Sequence, residues 1–127
     1  MTSGLLDTSV LISPPEAELL PEHALVSVIS VAELEYGALL ARTVAERAAR
    51  LERLAEIRRL EPLPVDDDVA HAYALIVAAE REAKRNPRVH DTLIAATARA
   101  HGLALYTRDE TQSRLAGPLG VLLPPHA

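Results

Sequence analysis

The chain predicts an α/β fold: a central, mostly parallel sheet of four to five strands with helices on both faces. Two observations predict it. Short apolar runs alternate with longer segments at helical spacing, which is the rhythm of parallel βαβ units joined by right-handed crossovers. The length is 127 residues, 49% hydrophobic and 24% charged, which fits one globular domain over residues 1–127.

The elements follow in order. Gly4-Leu5-Leu6-Asp7 reads as a first strand, with Thr8-Ser9 as turn and cap chemistry. Pro14-Pro15 breaks the chain before a short segment near Glu16 to Leu20. Ala24 to Ile29 reads as a second strand, and Ser30 followed by Glu33 forms a capping box at the head of a helix running from Val31 to about Ala41. Thr43 and Glu46 repeat that pattern for a helix to about Leu60, with Val44, Ala48, Leu51, Leu54 and Ile57 on one face. Pro62 and Pro64 frame a third strand near Leu63-Val65. Asp66 to Asp68 open a helix carrying Val69, Ala72, Tyr73, Ile76 and Val77, which ends near Asn86-Pro87. A helix from about Val89 stops at Gly102, Leu103 to Tyr106 is a fourth strand, and Gly120 to Leu123 a fifth. The chain contains no internal repeat and no low-complexity segment.

Composition excludes several kinds of chemistry. There is no Cys, so disulfides, thiolate catalysis and zinc–sulfur sites are ruled out. With no Phe or Trp and only three Tyr, base stacking on an aromatic platform is disfavoured. No apolar stretch approaches the ~18 residues of a membrane span, and the N-terminus lacks the form of a signal peptide, so a cytoplasmic location is expected. The net charge of −5 argues against a nucleic-acid partner, but the distribution argues back. From Val69 onward seven basic residues (Arg81, Lys84, Arg85, Arg88, Arg99, Arg108, Arg114) face five acidic ones. A solvated helix face accounts for the same run.

Four acidic residues stand out by placement. Asp7 closes the first strand, Glu33 follows the second, Asp91 opens the run Leu93-Ile94-Ala95-Ala96, and Asp109 follows the fourth strand. In open parallel sheets ligands gather beyond the carboxyl ends of the strands. Carboxylates brought together there repel one another and call for a cation, and oxygen-only donors suit Mg²⁺ or Mn²⁺. A site of that kind suits phosphodiester cleavage. Each residue also has a plainer use: Asp7 as a helix cap, Glu33 as the partner of Ser30, Asp91 against the helix dipole, Asp109 in a turn. Glu35 competes with Glu33, but residues two apart on a helix point about 200° apart, which leaves Glu35 to solvent. The run Asp66-Asp67-Asp68 is better explained as charge at a helix N-terminus, and His71 and His101 lie outside any ligand pattern. His90 is either a proton shuttle or a surface and capping residue.

Four segments carry a resemblance: L-L-D-T-S-V-L-I (5–12), S-V-I-S-V-A-E-L-E-Y-G (27–37), H-D-T-L-I-A-A-T-A (90–98) and H-G-L-A-L-Y-T-R-D (101–109). In order and spacing they resemble the motifs of PIN-domain ribonucleases, specifically the VapC toxins of VapBC toxin–antitoxin pairs. The resemblance implies a PIN-like α/β/α sandwich. It implies that Asp7, Glu33, Asp91 and Asp109 hold Mg²⁺ or Mn²⁺; of these, Asp7 and Asp91 are the expected direct or near-direct ligands, with Glu33 and Asp109 holding metal-bound waters or a second ion. It assigns Thr107 to orienting an acidic residue or a metal-bound water, and Ser9 to positioning Asp7. Endonucleolytic cleavage of RNA, a homodimer, and a cognate VapB-type antitoxin as partner are further implications. Arg88 and Arg108 flank the acidic positions and suit RNA phosphates, or equally surface ion pairs. The chain departs from the family's pattern at Asn86-Pro87-Arg88, where a Gly-Arg is frequent, and at His90, where Asn is frequent; both bear on substrate choice. A phosphatase of the haloacid-dehalogenase type would want a second Asp two residues after Asp7, where Ser9 stands. A non-catalytic module whose acidic cleft docks a basic peptide is the alternative from another class.

Overall fold

The computed structural model describes residues 2–125; the ends of the expected 1–127 domain lie outside them. Four strands, β1 (Ser3–Leu6), β2 (His23–Leu25), β3 (Ala104–Thr107) and β4 (Gly120–Leu122), form one sheet in the order β2-β1-β3-β4. Every pairing is parallel. The helices are α1 (Thr8–Ile12), α2 (Val28–Leu39), α3 (Val44–Arg58), α4 (Asp67–Glu82), α5 (Val89–His101) and α6 (Glu110–Ala116).

Successive strand residues point to opposite faces, and the core divides accordingly. Leu5 and Leu105 pack on one side with Val69 and Ile76 of α4, Ile94 and Ala95 of α5, and Leu115 of α6. Leu6 and the partly buried Tyr106 pack on the other side with Val10 and Leu11 of α1, Val31 of α2, and Leu54 and Ile57 of α3. This is the expected α/β/α sandwich. Gly4 is required where β1 passes Tyr106, because a Cβ there would lie 2.4 Å from the Tyr106 ring.

Several boundaries differ from those the sequence predicts. The second strand stops at Leu25, and α2 begins at Val28 with Ser27, not Ser30, as N-cap: the Ile29 N–H donates to Ser27 Oγ at 3.0 Å. Val28-Ile29 is β-branched and reads as strand, but the cap bond overrides that preference. The strand expected near Leu63-Val65 is a single bridge, with Leu63 N–H donating to Val26 O and Val28 N–H to Leu63 O. Pro62 and Pro64 lack N–H groups and cannot extend it. Thr8-Ser9, read as a turn, opens the short helix α1, and α6 had no counterpart in the sequence reading. Helix α4 ends at Glu82, before Asn86-Pro87. Thr43 and Asp66 cap α3 and α4 as their sequences suggest.

The sheet order decides where a site forms. From β1 the chain crosses to β2 on one side, and later returns to β3 on the other side of β1. The strand order therefore switches direction between β1 and β3, and the crevice beyond their carboxyl ends is where such folds bind ligands. The Asp7 N–H donates to Tyr106 O at 3.0 Å, which carries the β1–β3 pairing up to the rim of that crevice.

Candidate metal centre at the carboxyl edge of the sheet

Asp7 leaves β1 and caps α1. Its Oδ1 accepts from Thr8 N–H at 2.8 Å, and its Oδ2 accepts from Thr107 Oγ at 2.7 Å and from Ser9 Oγ at 3.1 Å. The side chain is buried, and burial raises its pKa above the ordinary carboxylate value, with repulsion from Glu33 adding to it. The three hydrogen bonds pull the other way. Thr107, fully buried at the end of β3, also accepts from Asp109 N–H at 3.0 Å, so one hydroxyl ties the rims of two strands.

Glu33 sits in the second turn of α2, because α2 starts earlier than expected. It is not the capping partner of Ser30. Its Oε1 accepts from Thr8 Oγ at 2.7 Å, and Thr8 Oγ also meets Ser30 Oγ at 2.9 Å. Glu35 points elsewhere, to an exposed pair with Arg58. Asp91 lies in the first turn of α5 and Asp109 caps α6, its Oδ1 accepting from Gln112 N–H at 3.1 Å. The Asp91 pKa is raised, first by burial and then by the charges of Asp7, Glu33 and Asp109 together.

Convergence of the four is thus electrostatic. Among the described residues no three acidic or histidine side chains close on one point at ligating distance. Asp91 stands at the meeting of two clefts, one of about 340 Å³ shared with Asp109, Arg88, Arg85 and Arg114, the other of about 300 Å³ shared with Glu33, Arg88 and His90. His90 Nδ1 lies 3.8 Å from Glu33 Oε2. The donor set fits a hard divalent cation. It is all oxygen, and Asp91 and Asp7 carry the repulsion that a cation offsets.

The expected basic residues separate. Arg88, at the head of α5, lines both clefts. Arg108 turns away from the carboxylates: its Nη1 donates to Ser9 O within α1 and to Ser13 O just after it, and it lines a different cleft with Pro14, Pro15 and Pro124. Asp66 to Asp68 serve the α4 N-terminus. Gln112, not among the candidates the sequence offers, is buried and donates from Nε2 to the Asp91 carbonyl at 2.9 Å while its N–H serves Asp109. The spacing Asp109-x-x-Gln112 is a capping-box signal that could have found it. Thr8 was missed too; its hydroxyl bond to Glu33 has no local signature.

A parallel sheet ordered β2-β1-β3-β4, carrying this acidic rim, defines a PIN domain, and residues 4–118 match that family's model. The chain belongs to that family, among its VapC members. It is 36% identical to Ribonuclease VapC5 of Mycobacterium tuberculosis over 94% of this chain and 92% of the relative. It is 39% identical to Ribonuclease VapC4 of the same organism, over 84% and 85% of the two chains. The crystal structure of VapBC-5 from M. tuberculosis, a member of the VapBC family of toxin–antitoxin systems, superposes with a TM-score of 0.86 at 35% identity, over 97% of this chain and 98% of that one.

Proposed function

We propose that this chain is a Mg²⁺- or Mn²⁺-dependent endoribonuclease that acts as the toxin of a toxin–antitoxin pair. The observation that carries the reading is Asp91, whose carboxyl group is pushed up first by burial and then by Asp7, Glu33 and Asp109 together at the sheet's switch point. Asp7 and Asp91 would hold the cation most directly, with Glu33 and Asp109 completing the acidic set. A bound divalent ion supplies charge neutralisation at the phosphodiester and acidifies the attacking water. The chain's own groups do the rest. Thr107 and Ser9 hold the Asp7 carboxylate in one orientation through Oδ2. Gln112 ties the α5 backbone at Asp91 to the head of α6 at Asp109, so the two carboxylates keep a fixed relation. Arg88 offers a guanidinium to RNA phosphate from the edge of both clefts.

Similarity to VapC ribonucleases and to a VapBC structure supports RNA as substrate and a VapB-type antitoxin as partner. A homodimer fits the exposed apolar side chains Tyr36, Leu39, Leu40 and Leu75. Among the described residues no helix is long and apolar enough to cross a membrane, and a cytoplasmic location completes the reading.

The test is Asp7→Asn, assayed on total RNA with Mn²⁺. Cleavage should fall below detection while Tm in divalent-free buffer stays within about 5 °C, because a buried repelled charge is removed as its hydrogen bonds weaken. Saturating Mn²⁺, at about 100 times its Kd, should stabilise the wild type by about 2.7 kcal/mol and the variant far less. Undiminished cleavage by Asp7→Asn would sink the assignment. A wild type that neither binds Mn²⁺ nor cuts RNA would favour a docking module instead.

A further inference from the structure

Glu80, Arg85 and Arg114 form a cluster beside the carboxylates that the assignments above leave unused. Glu80 is buried at 5% exposure near the end of α4. Arg85 grips it with Nε at 3.2 and 3.1 Å and Nη2 at 2.8 Å. Arg114 of α6 reaches the same carboxylate through Nη1 at 2.6 and 2.7 Å. The Arg85 contact above all, and Arg114 with it, holds the Glu80 carboxyl at about 2.

The backbone sets up the first grip. Helix α4 ends in a Schellman motif: Arg85 N–H donates to Glu80 O at 2.8 Å and Lys84 N–H to Arg81 O at 2.9 Å. Lys84 occupies the left-handed position, φ 60°, where glycine is usual. That turn folds Arg85 back over the last turn of its own helix.

One arginine would neutralise Glu80, so the second leaves a positive excess. Among the described residues, Nη1 of Arg85 and Nε and Nη2 of Arg114 donate to no protein group, and the two side chains are 47% and 41% exposed. Both line the 340 Å³ cleft that also contains Arg88, Asp91 and Asp109. The cleft is therefore lined by carboxylates and guanidiniums together. An RNA strand laid along it meets repulsion from Asp91 and Asp109, and finds donors already oriented by Glu80: Nη1 of Arg85 and the Nε–Nη2 fork of Arg114.

We propose that Arg85 and Arg114, held in place by Glu80, form a subsite for a backbone phosphate of single-stranded RNA, adjacent to the phosphate attacked at the carboxylates. This rests on the ribonuclease reading above. Guanidinium forks match phosphate oxygens, and the cleft lining contains no aromatic side chain on which a base could stack. The contact is consequently independent of sequence. Glu80 is a positioning residue that orients the forks without touching RNA.

The experiment measures binding of a random-sequence single-stranded RNA oligonucleotide to the Asp7→Asn chain at several salt concentrations, and cleavage by the wild-type background. Arg85→Ala should weaken binding about tenfold and flatten the plot of log affinity against log salt by about 0.7. Arg114→Lys keeps an ion pair to Glu80 but loses the fork. It should raise KM while leaving the salt slope and kcat nearly unchanged. Arg59→Ala, which removes an exposed charge at the end of α3, is the control and should change neither. Folding is checked by Tm for each variant. If the wild type cuts RNA and Arg85→Ala binds it with the parent's affinity and slope, the subsite is refuted and the ribonuclease reading stands. If the Asp7→Asn chain binds no RNA and the wild type cuts none, both fall together. Arg85-dependent binding of poly-glutamate, with RNA binding unaltered, would reassign the patch to an acidic protein and overturn the proposal.

Discussion

Thr107→Val isolates the hydroxyl that joins the two strand rims. The substitution keeps the side chain's shape but removes a donor to Asp7 Oδ2 at 2.7 Å and an acceptor for Asp109 N–H at 3.0 Å. A lost hydrogen bond to a charged group costs about 1.5–3 kcal/mol, and the Asp109 N–H, which belongs to an exposed residue, adds at most about 1 kcal/mol when it loses its partner. Ser9 and Thr8 still donate to Asp7, so the lower end applies to that bond and the sum is about 2.5 kcal/mol. Against a total stability of about 5–15 kcal/mol that is a large share. Tm should fall by about 10 °C. Thr107→Ser keeps the hydroxyl and loses one buried methyl, for about 1 kcal/mol. Urea unfolding in divalent-free buffer at neutral pH measures both. The sign with pH follows from the same bond. Thr107 favours the charged form of Asp7, so its removal raises an already raised pKa, and the penalty shrinks as the pH falls and Asp7 protonates in either protein. Equal stabilities for the Val and Ser variants would refute the reasoning, as would a penalty that grows in acid.

Two further outcomes follow from the geometry. Glu33→Ala should abolish RNA cleavage, whereas Glu35→Ala breaks only an exposed pair with Arg58, costs less than about 1 kcal/mol and leaves cleavage intact; a shared loss of activity would contradict the helix phasing. Glu80 contributes stability above its ordinary value of 4.5 that disappears as the pH falls through about 2, because its folded pKa is depressed. Its arginine partners are nearly half exposed, so screening trims the contribution to about 1–2 kcal/mol. Replacing Glu80 with Gln should flatten the acid limb of Tm against pH, and an unchanged limb would count against the pair.

Much of the fold was legible because its signals are local. Thr43 and Asp66 cap their helices as their sequences suggest, and Gly102 ends α5 in a left-handed conformation with φ 62°. The errors came where two local signals compete. The sequence reads Ser27 as strand and Ser30 as the cap, and only the bridge from Ser27 to Leu63 places the end of the extended backbone before Val28. Leu63 lies between two prolines, and whether such a segment pairs depends on a partner far along the chain. Helix α1 is too short to show a helical period, so Thr8 was read as a turn although its hydroxyl anchors Glu33.

The amino-acid sequence by itself determined the kind of chemistry open to this protein. With no Cys and four acidic residues beside apolar runs, it specified hard oxygen donors, and the alternation of runs with helical spacing specified an α/β sandwich. Only the tertiary structure decided how those donors relate. The β2-β1-β3-β4 order brings Thr107 against Asp7 across 100 residues of chain and lets Asp91 feel three other charges. The tertiary packing also brought Arg114 of α6 onto the buried Glu80 of α4, and held Arg108 on the α1 backbone, away from the carboxylates. The reason is range: caps and periodicities act over a few residues and can be read from a window of sequence. Electrostatic convergence depends on distances between segments, and those exist only once the sheet is assembled.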